Sequence, residues 1–481
     1  MSSNATQSDP IRPHGMQLDE FRAAAHEAVD WIADFLEGAG ELPVLPQATP
    51  GDWIRRLPDR APEHGEPAEA LLKDFRELIV PGITHWNHPR FMAYFAISGS
   101  APGVLGEMLA AALNVNHMLW KTSPAATELE QVTLKWLRQW LGIPDAFTGI
   151  IHDTASTGTM HAILAARQRA HPETRQSGDS SRLVLYASEH AHSSVDKGAL
   201  ATGIGLQHVR HVPSDAEFRM RPEELQRMIG EDRAAGLQPF CAIATVGTTS
   251  TASVDPVEAV AEIAAREKLW LHVDAAYAGP AAILPEYKDL LKGAARADSI
   301  VVNPHKWMFT PVDLSALYFR DRAAMRAAVS LEDAPPYLTS DPEHEAQNLA
   351  DYSLALGRRF RSLKLWFVMR SYGREGVARI IAHHIALARE LTRRIEADPR
   401  FELAAPQKFS LVCFRYLGTD EENQELLDAV NRSGEAFLSN TALHGKFVLR
   451  AAIGNVATGE ADIERLWKAL LAALPGDPVK S

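Results

Sequence analysis

Leu269–Trp307 reads LWLHVDAAYAGPAAILPEYKDLLKGAARADSIVVNPHKW. Two short apolar runs within it, Leu269–Val273 and Ile300–Val302, have the pattern of strands buried on both faces of a parallel sheet, with a helical interval between them. Each run ends in polar residues. In an open α/β sheet, ligands sit beyond the carboxyl ends of the strands, so Asp274 and Lys306 are expected to face one crevice. Similar runs at Leu183–Ala187 and Phe240–Val246, with helical patterns between them, extend the alternation from about 150 to 320 and imply a mostly parallel sheet.

The pairing has a chemical meaning. A lysine amine condenses with an aldehyde, and an aspartate keeps a pyridinium nitrogen protonated; a pyridoxal phosphate (PLP) site needs both. Asp274 would ion-pair with the ring, and Lys306 would need a depressed pKa. His305 beside it is a candidate contact for the cofactor phosphate. Taken singly, an Asp and a Lys at strand ends are equally well read as a surface salt bridge. The combination of HVDAAYAG with NPHKW is what weighs toward the cofactor. Upstream, Asp153-Thr154-Ala155-Ser156-Thr157-Gly158 precedes an apolar-periodic helix. Small and hydroxylated residues at a helix start make either a plain N-cap or an anion site.

HVDAAYAGP, NPHKW and the later LGRRFRSLK (356–364) resemble the PLP-dependent group II amino acid decarboxylases, and within them the aromatic L-amino acid (DOPA) decarboxylases. The likeness runs from about residue 16 to about residue 475. It implies an α/β protein of PLP fold type I, aspartate aminotransferase-like, with a mostly parallel seven-stranded sheet. It also implies a helical arm and dimerisation segment over 1–100, a large PLP-binding domain over 101–365 and a small C-terminal α/β domain over 366–481. The family works as a homodimer with active sites at the subunit interface. Carried over residue by residue, the resemblance makes Ala155 and Ser156 the phosphate cradle, and Thr249, Asp274, Ala276, Asn303, His305 and Lys306 further cofactor contacts. His192 would lie face-on over the ring, and Tyr337 would be the tyrosine of a mobile loop, returning a proton to Cα.

The aromatic stretch THWNHPRFMAYFAISGS (84–100) reads either as a packed loop or as a pocket wall; the resemblance makes Trp86, Tyr94, Phe95 and Ile97 substrate contacts. Ala96 and Ile97 stand where DOPA decarboxylase has Pro and Thr, and Asn116 and Met118 where it has Ile and Phe. In the family, positions 116 and 118 reach the substrate of the partner subunit. Gly357 leaves room at a position where relatives vary between Gly and Ser, which reads as space for a bicyclic indole.

Outside these motifs the chain is ordinary for a globular protein. Its 481 residues exceed one compact core, and a net charge of −12 argues against a general nucleic-acid binder. Cys241 and Cys413 lie in apolar runs and read as buried thiols rather than a disulfide, consistent with a cytoplasmic protein. No apolar run approaches a membrane span, the N-terminus lacks the pattern of a signal peptide, and His190 and His192 have no companions that would complete a metal site. The N-terminal arm, a helix from Leu18, a proline-rich run and a second helix over about Ala68–Ile79, has little core of its own and is expected to pack on a second subunit. A helix opening at Ser123-Pro124 should bury Leu129, Val132, Trp136, Leu137, Trp140 and Leu141. Between Arg322 and Asp351 the pattern weakens into a long polar loop.

The expected activity is decarboxylation of an aromatic L-amino acid (DOPA, 5-hydroxytryptophan, tryptophan, tyrosine or phenylalanine type) to the amine and CO2. The same scaffold supports an aromatic aldehyde synthase, in which the loop tyrosine or stacking histidine is often replaced; both Tyr337 and His192 are present here. A decarboxylase of a non-aromatic amino acid, a transaminase or sulfur-removing enzyme with Arg450 on the substrate carboxylate, and a non-catalytic scaffold are the remaining readings.

Overall fold

A computed structural model describes residues 15–330 and 347–474. Its main sheet has seven strands: β1 (Thr148–His152), β2 (Leu183–Ser188), β3 (Val209–Val212), β4 (Gln238–Thr245), β5 (Trp270–Asp274), β6 (Ser299–Val302) and β7 (Ser315–Phe319). They lie in the order β1-β7-β6-β5-β4-β2-β3. All neighbours are parallel except β7, which runs antiparallel to both β1 and β6. This is the α/β, fold type I architecture. Every residue of β5 is buried, as are those of β2, β6 and β7, because helices cover both faces. That two-sided burial is why these strands read as continuous apolar runs.

A second sheet comes next in the chain, β8 (Phe401–Leu403), β9 (Leu411–Tyr416), β10 (Ser439–Leu443) and β11 (Lys446–Ala452), antiparallel in the order β10-β11-β9-β8. The helix Glu460–Ala472 buries Ile463, Leu466 and Leu470 in the core of this part. We propose a division near 100 and 365. The second boundary falls within the helix Ser362–Ala397, which loses helical geometry at Gly373, where φ is 63°. Residues 90–92 join the second sheet region by backbone bonds, Met92 N to Phe437 O at 2.9 Å and Phe437 N to Arg90 O at 3.1 Å.

Several local expectations are corrected. The interval between β5 and β6 is three short 3-10 turns, Gly279–Ile283, Pro285–Tyr287 and Gly293–Arg296, not a helix. Pro280 and Pro285 remove the amide donors a continuous helix would need. Arg322–Val329 is a helix, capped by Asp321 accepting from Ala324 N at 2.8 Å, where only loop was expected. The second arm helix is α-helical over Ala68–Asp74 and continues as a π turn, Phe75–Ile79. The helix Pro124–Leu141 does start after Ser123, but the serine hydroxyl makes no capping bond. Its buried face carries Thr127, Glu130, Thr133 and Leu134 beside Leu137 and Leu141, while Val132 is 40% exposed.

The arm helix Leu18–Gly38 buries no residue in this chain; Leu18 and Phe21 are more than half exposed. Leu105, Leu109 and Leu113 of the helix Ala101–Leu113 are exposed as well. Both cysteines are free and buried. Among the described residues, no helix is long and apolar enough to cross a membrane.

Candidate active site

The carboxyl ends of the sheet converge on one crevice. Thr245 pairs with Asp274 and Asp274 with Val301, so β4, β5 and β6 end level with one another. Residues at or just past the strand ends line a cavity of about 180 Å³: Thr154–Ser156 beyond β1, His192 and Ser194 beyond β2, Gly247 and Thr249 beyond β4, Asp274 and Ala276 at β5, and Asn303, His305 and Lys306 beyond β6. Gly247 sits at φ +89°, and a Cβ there would come within 2.6 Å of the Ala278 Cβ, so the turn under the cavity requires glycine.

Asp274 is 6% exposed and its Oδ1 accepts the Ala276 N–H at 3.0 Å. Burial pushes the Lys306 ammonium below its usual pKa, and Asp274 offsets part of that. The lysine is thereby moved toward the neutral amine that imine chemistry needs. Its position is anchored by Trp307, fully buried, whose Nε1–H donates to His384 Nδ1 at 3.0 Å. Asn303 accepts from the Ser315 hydroxyl at 2.6 Å and, through its carbonyl, from Lys306 N at 2.9 Å.

Two histidines are fixed as single tautomers. His305 Nδ1 accepts the Leu314 N–H at 3.0 Å, and burial holds its pKa down at about 3, so the neutral ring keeps its proton on Nε2. His192 Nδ1 accepts the Ser194 N–H at 3.1 Å, which likewise leaves Nε2 as the donor. His192 lines the cavity; burial, then the Lys306 charge, lower its pKa, and Asp274 offsets part of that.

The helix Ala155–Ala170 begins at the cavity with Thr154 as N-cap, its hydroxyl accepting from Thr157 N at 3.5 Å. The N–H groups of Ala155 and Ser156 are therefore first-turn donors without intrahelical acceptors, aimed where an anion gains most from the helix dipole. The buried Thr245 hydroxyl, also on the cavity wall, lacks a hydrogen-bond partner. A lysine with a depressed pKa, a buried carboxylate, a phosphate-type cradle and an unpartnered hydroxyl together fit PLP.

A wider cavity of about 580 Å³ opens from Lys306 and His192 past Trp86, Tyr94, Phe95 and Ile97 toward Phe437 and Asn440. Phe95 stacks on Tyr277 at 3.6 Å, and Trp86 on Tyr94 at 5.8 Å. Lys306 Nζ lies 5.5 Å from the centre of the Phe95 ring. Asn116, Met118 and Gly357 do not line this cavity. Asn116 instead accepts the Arg358 N–H at 2.9 Å, and Gly357 is exposed with open space around it. Tyr337 lies outside the described residues.

Sequence reasoning missed Tyr277, Thr245 and the role of Arg450. Arg450 is 3% exposed and lines the cavity, yet its Nε, Nη1 and Nη2 donate to Ser250 O (3.0 Å), Ser439 Oγ (2.8 Å) and Thr249 O (2.6 Å). It fastens β11 to the Thr249 turn. A single arginine within the buried run 448–452 carried no local signal of that.

Fold and site together define a PLP enzyme of fold type I. A family model described as pyridoxal-dependent decarboxylase conserved domain matches residues 50–417, and the chain belongs to that family, with PLP as its cofactor. Over 473 residues it is 41% identical to phenylacetaldehyde synthase of Arabidopsis thaliana, covering 94% of this chain and 95% of that one. It is also 41% identical over 471 residues to aromatic-L-amino-acid decarboxylase of Bos taurus, covering 94% and 96%. A crystal structure of Oryza sativa TDC with PLP and tryptamine superposes with a TM-score of 0.92 at 36% identity, covering 96% of this chain and 99% of that one.

Proposed function

We propose that the enzyme removes the carboxylate of an aromatic L-amino acid to give the amine and CO2, working as a homodimer. The observation that carries this reading is the wall of Trp86, Tyr94, Phe95 and Ile97 beside Lys306. Such a wall suits an aromatic side chain better than a glutamate carboxylate. Arg450 is the nearby guanidinium, and its bonds to the Thr249 and Ser250 carbonyls tie it to the scaffold. The same bonds argue against an aminotransferase-type carboxylate clamp. The apolar residues left exposed on the arm and on the helix Ala101–Leu113 support a second copy packed there.

When bound, PLP supplies the electron sink for the pair left by the broken Cα–carboxylate bond. Lys306 would hold the cofactor covalently and release it to substrate. Asp274 would keep the proton on its ring nitrogen, and Ala155 and Ser156 would hold its phosphate through their N–H groups. His192 would pack on the ring and present Nε2–H toward the substrate carboxylate. The remaining step is protonation of Cα, which we assign to Tyr337 from the sequence.

The likeness to an aldehyde synthase sustains a second outcome, in which O2 takes the electrons before Cα is protonated and aldehyde, ammonia and peroxide replace the amine. Purified holoenzyme offered the aromatic amino acids, DOPA, 5-hydroxytryptophan and glutamate, with amine, aldehyde and CO2 measured under air and under argon, separates the readings. Amine equal to CO2 from an aromatic substrate, with no oxygen uptake, is expected; release of γ-aminobutyrate or obligate oxygen uptake would overturn the proposal. In the same assay Tyr337→Phe should leave CO2 release possible while amine yield drops and aldehyde appears under air. Wild-type amine production by that variant would remove Tyr337 as the donor.

A further inference from the structure

Residues 90–92 run parallel to the chain at Phe437, which donates its N–H to Arg90 O and accepts the Met92 N–H. The next rung of such a ladder would join Tyr94 N to the Ser439 carbonyl and Ser439 N to Met92 O. That rung is replaced. Met92 O takes the Ala452 N–H at 2.8 Å, and the Tyr94 N–H goes to the Ser439 hydroxyl oxygen at 3.1 Å. Here the chain turns. Tyr94 sits at φ 54°, in the left-handed region that a tyrosine keeps only where its surroundings hold it. The same Ser439 oxygen accepts the Arg450 Nη1–H at 2.8 Å, across the β10–β11 pairing in which Ser439 lies opposite Arg450. The Nη2 and Nε of that guanidinium are spent on the Thr249 and Ser250 carbonyls.

The two rings at this turn are held unequally. Phe95 is 7% exposed and stacks on Tyr277 at 3.6 Å, so packing alone fixes it. Tyr94 is 53% exposed, and its ring neighbours, Trp86 at 5.8 Å and Phe437 at 6.0 Å, lie in the looser half of the range for aromatic pairs. Where the Tyr94 ring stands along the cavity that opens from Lys306 is therefore set by its backbone. We infer that Ser439 is a positioning residue for the aromatic substrate: its hydroxyl, fixed by Arg450, holds the Tyr94 amide in the left-handed turn and so places the Tyr94 ring on the substrate wall. A path of three hydrogen bonds, from Thr249 O through Arg450 and Ser439 to Tyr94 N, thereby ties the turn beside the cofactor cavity to that wall. The inference rests on the reading of an aromatic substrate given above.

The test uses holoenzyme, assayed with whichever aromatic amino acid wild type decarboxylates. Ser439→Ala should raise KM about 10-fold with kcat within about 3-fold, because a displaced wall loses ground-state and transition-state contacts alike. Tyr94→Ala should raise KM similarly. A variant carrying both substitutions should be no worse than Tyr94→Ala, as expected of two residues that act through one contact. Ser439→Thr, which keeps the hydroxyl, should have the KM of wild type. Arg450 keeps its bonds to the Thr249 and Ser250 carbonyls in all of them, so PLP content should equal that of wild type. Where Ser439→Ala fails to fold, Ser439→Cys, close in shape but with a weak acceptor, takes its place. A wild-type KM in Ser439→Ala, a KM in the double variant raised as far again, or failure of Ser439→Thr to restore KM overturns the inference. So does a loss of PLP or a fall in kcat, either of which would make Ser439 a general support of the fold. Failure of wild type to act on any aromatic amino acid overturns the substrate reading itself, and is seen before any variant is made.

Discussion

Lys306→Ala is expected to lower turnover by at least about 10³-fold, the scale on which removing a covalent catalytic group acts. The fold should survive. Among the described residues Lys306 makes no ion pair that would be orphaned, and the neighbouring Trp307 keeps its bond to His384. The cofactor should still bind, since Asp274, the Ala155 and Ser156 amides and His305 are untouched, but it should be removable by dialysis or gel filtration. In wild type, borohydride reduction should leave the cofactor covalently on the peptide bearing Lys306 and on no other. A label on a different lysine would overturn the assignment, as would a variant that turns over at near wild-type rate.

One physical division separates the features legible in the sequence from those concealed in it. Strands β2, β4, β5 and β6 were legible because burial on both faces demands runs such as Leu271, His272 and Val273 with no solvent-facing alternation. Asp274 and Lys306 were legible because the strand ends fix where functional side chains emerge. The helix Pro124–Leu141 was legible in part: Leu137 and Leu141 are buried and Trp136 and Trp140 pack against the core, but Val132 is exposed and the buried side also holds Thr127, Glu130 and Thr133. A buried carboxylate is tolerated only when paired, and its partner Arg358 lies 228 residues away, so no local pattern could announce it. Arg450 was obscured for the same reason: its acceptors are backbone carbonyls of a turn 200 residues earlier. The crossover from β5 to β6 reads as helical from the strand–helix–strand alternation around it, but Pro280 and Pro285 lack the amide donors a continuous helix needs, and it folds as three short 3-10 turns.

Asp274→Asn should lower turnover by about 10²–10³-fold, comparable to removing one preorganised electrostatic partner from a buried site. The substitution keeps the shape of the side chain, and its amide oxygen can still accept the Ala276 N–H that Oδ1 accepts at 3.0 Å. It removes only the negative charge. Without that charge, the proton on the cofactor's ring nitrogen is no longer favoured, and the ring withdraws electrons less strongly from the breaking bond. Substrate KM should change little, since Asp274 lies in the inner cavity and not on the Trp86–Phe95 wall. A second effect has the opposite sign. Burial lowers the pKa of Lys306, and Asp274 raises it part of the way back. Removing the carboxylate should therefore lower the Lys306 pKa further, so that the neutral amine persists to lower pH. The rate at which apoenzyme captures added PLP covalently should consequently hold up to lower pH in Asp274→Asn than in wild type, even as the loaded variant turns over slowly. Stopped-flow capture of PLP across a pH series, alongside steady-state turnover, reads both effects. A capture profile that moves to higher pH, or turnover within a few-fold of wild type, would show that Asp274 does not act as the charge facing both Lys306 and the cofactor ring.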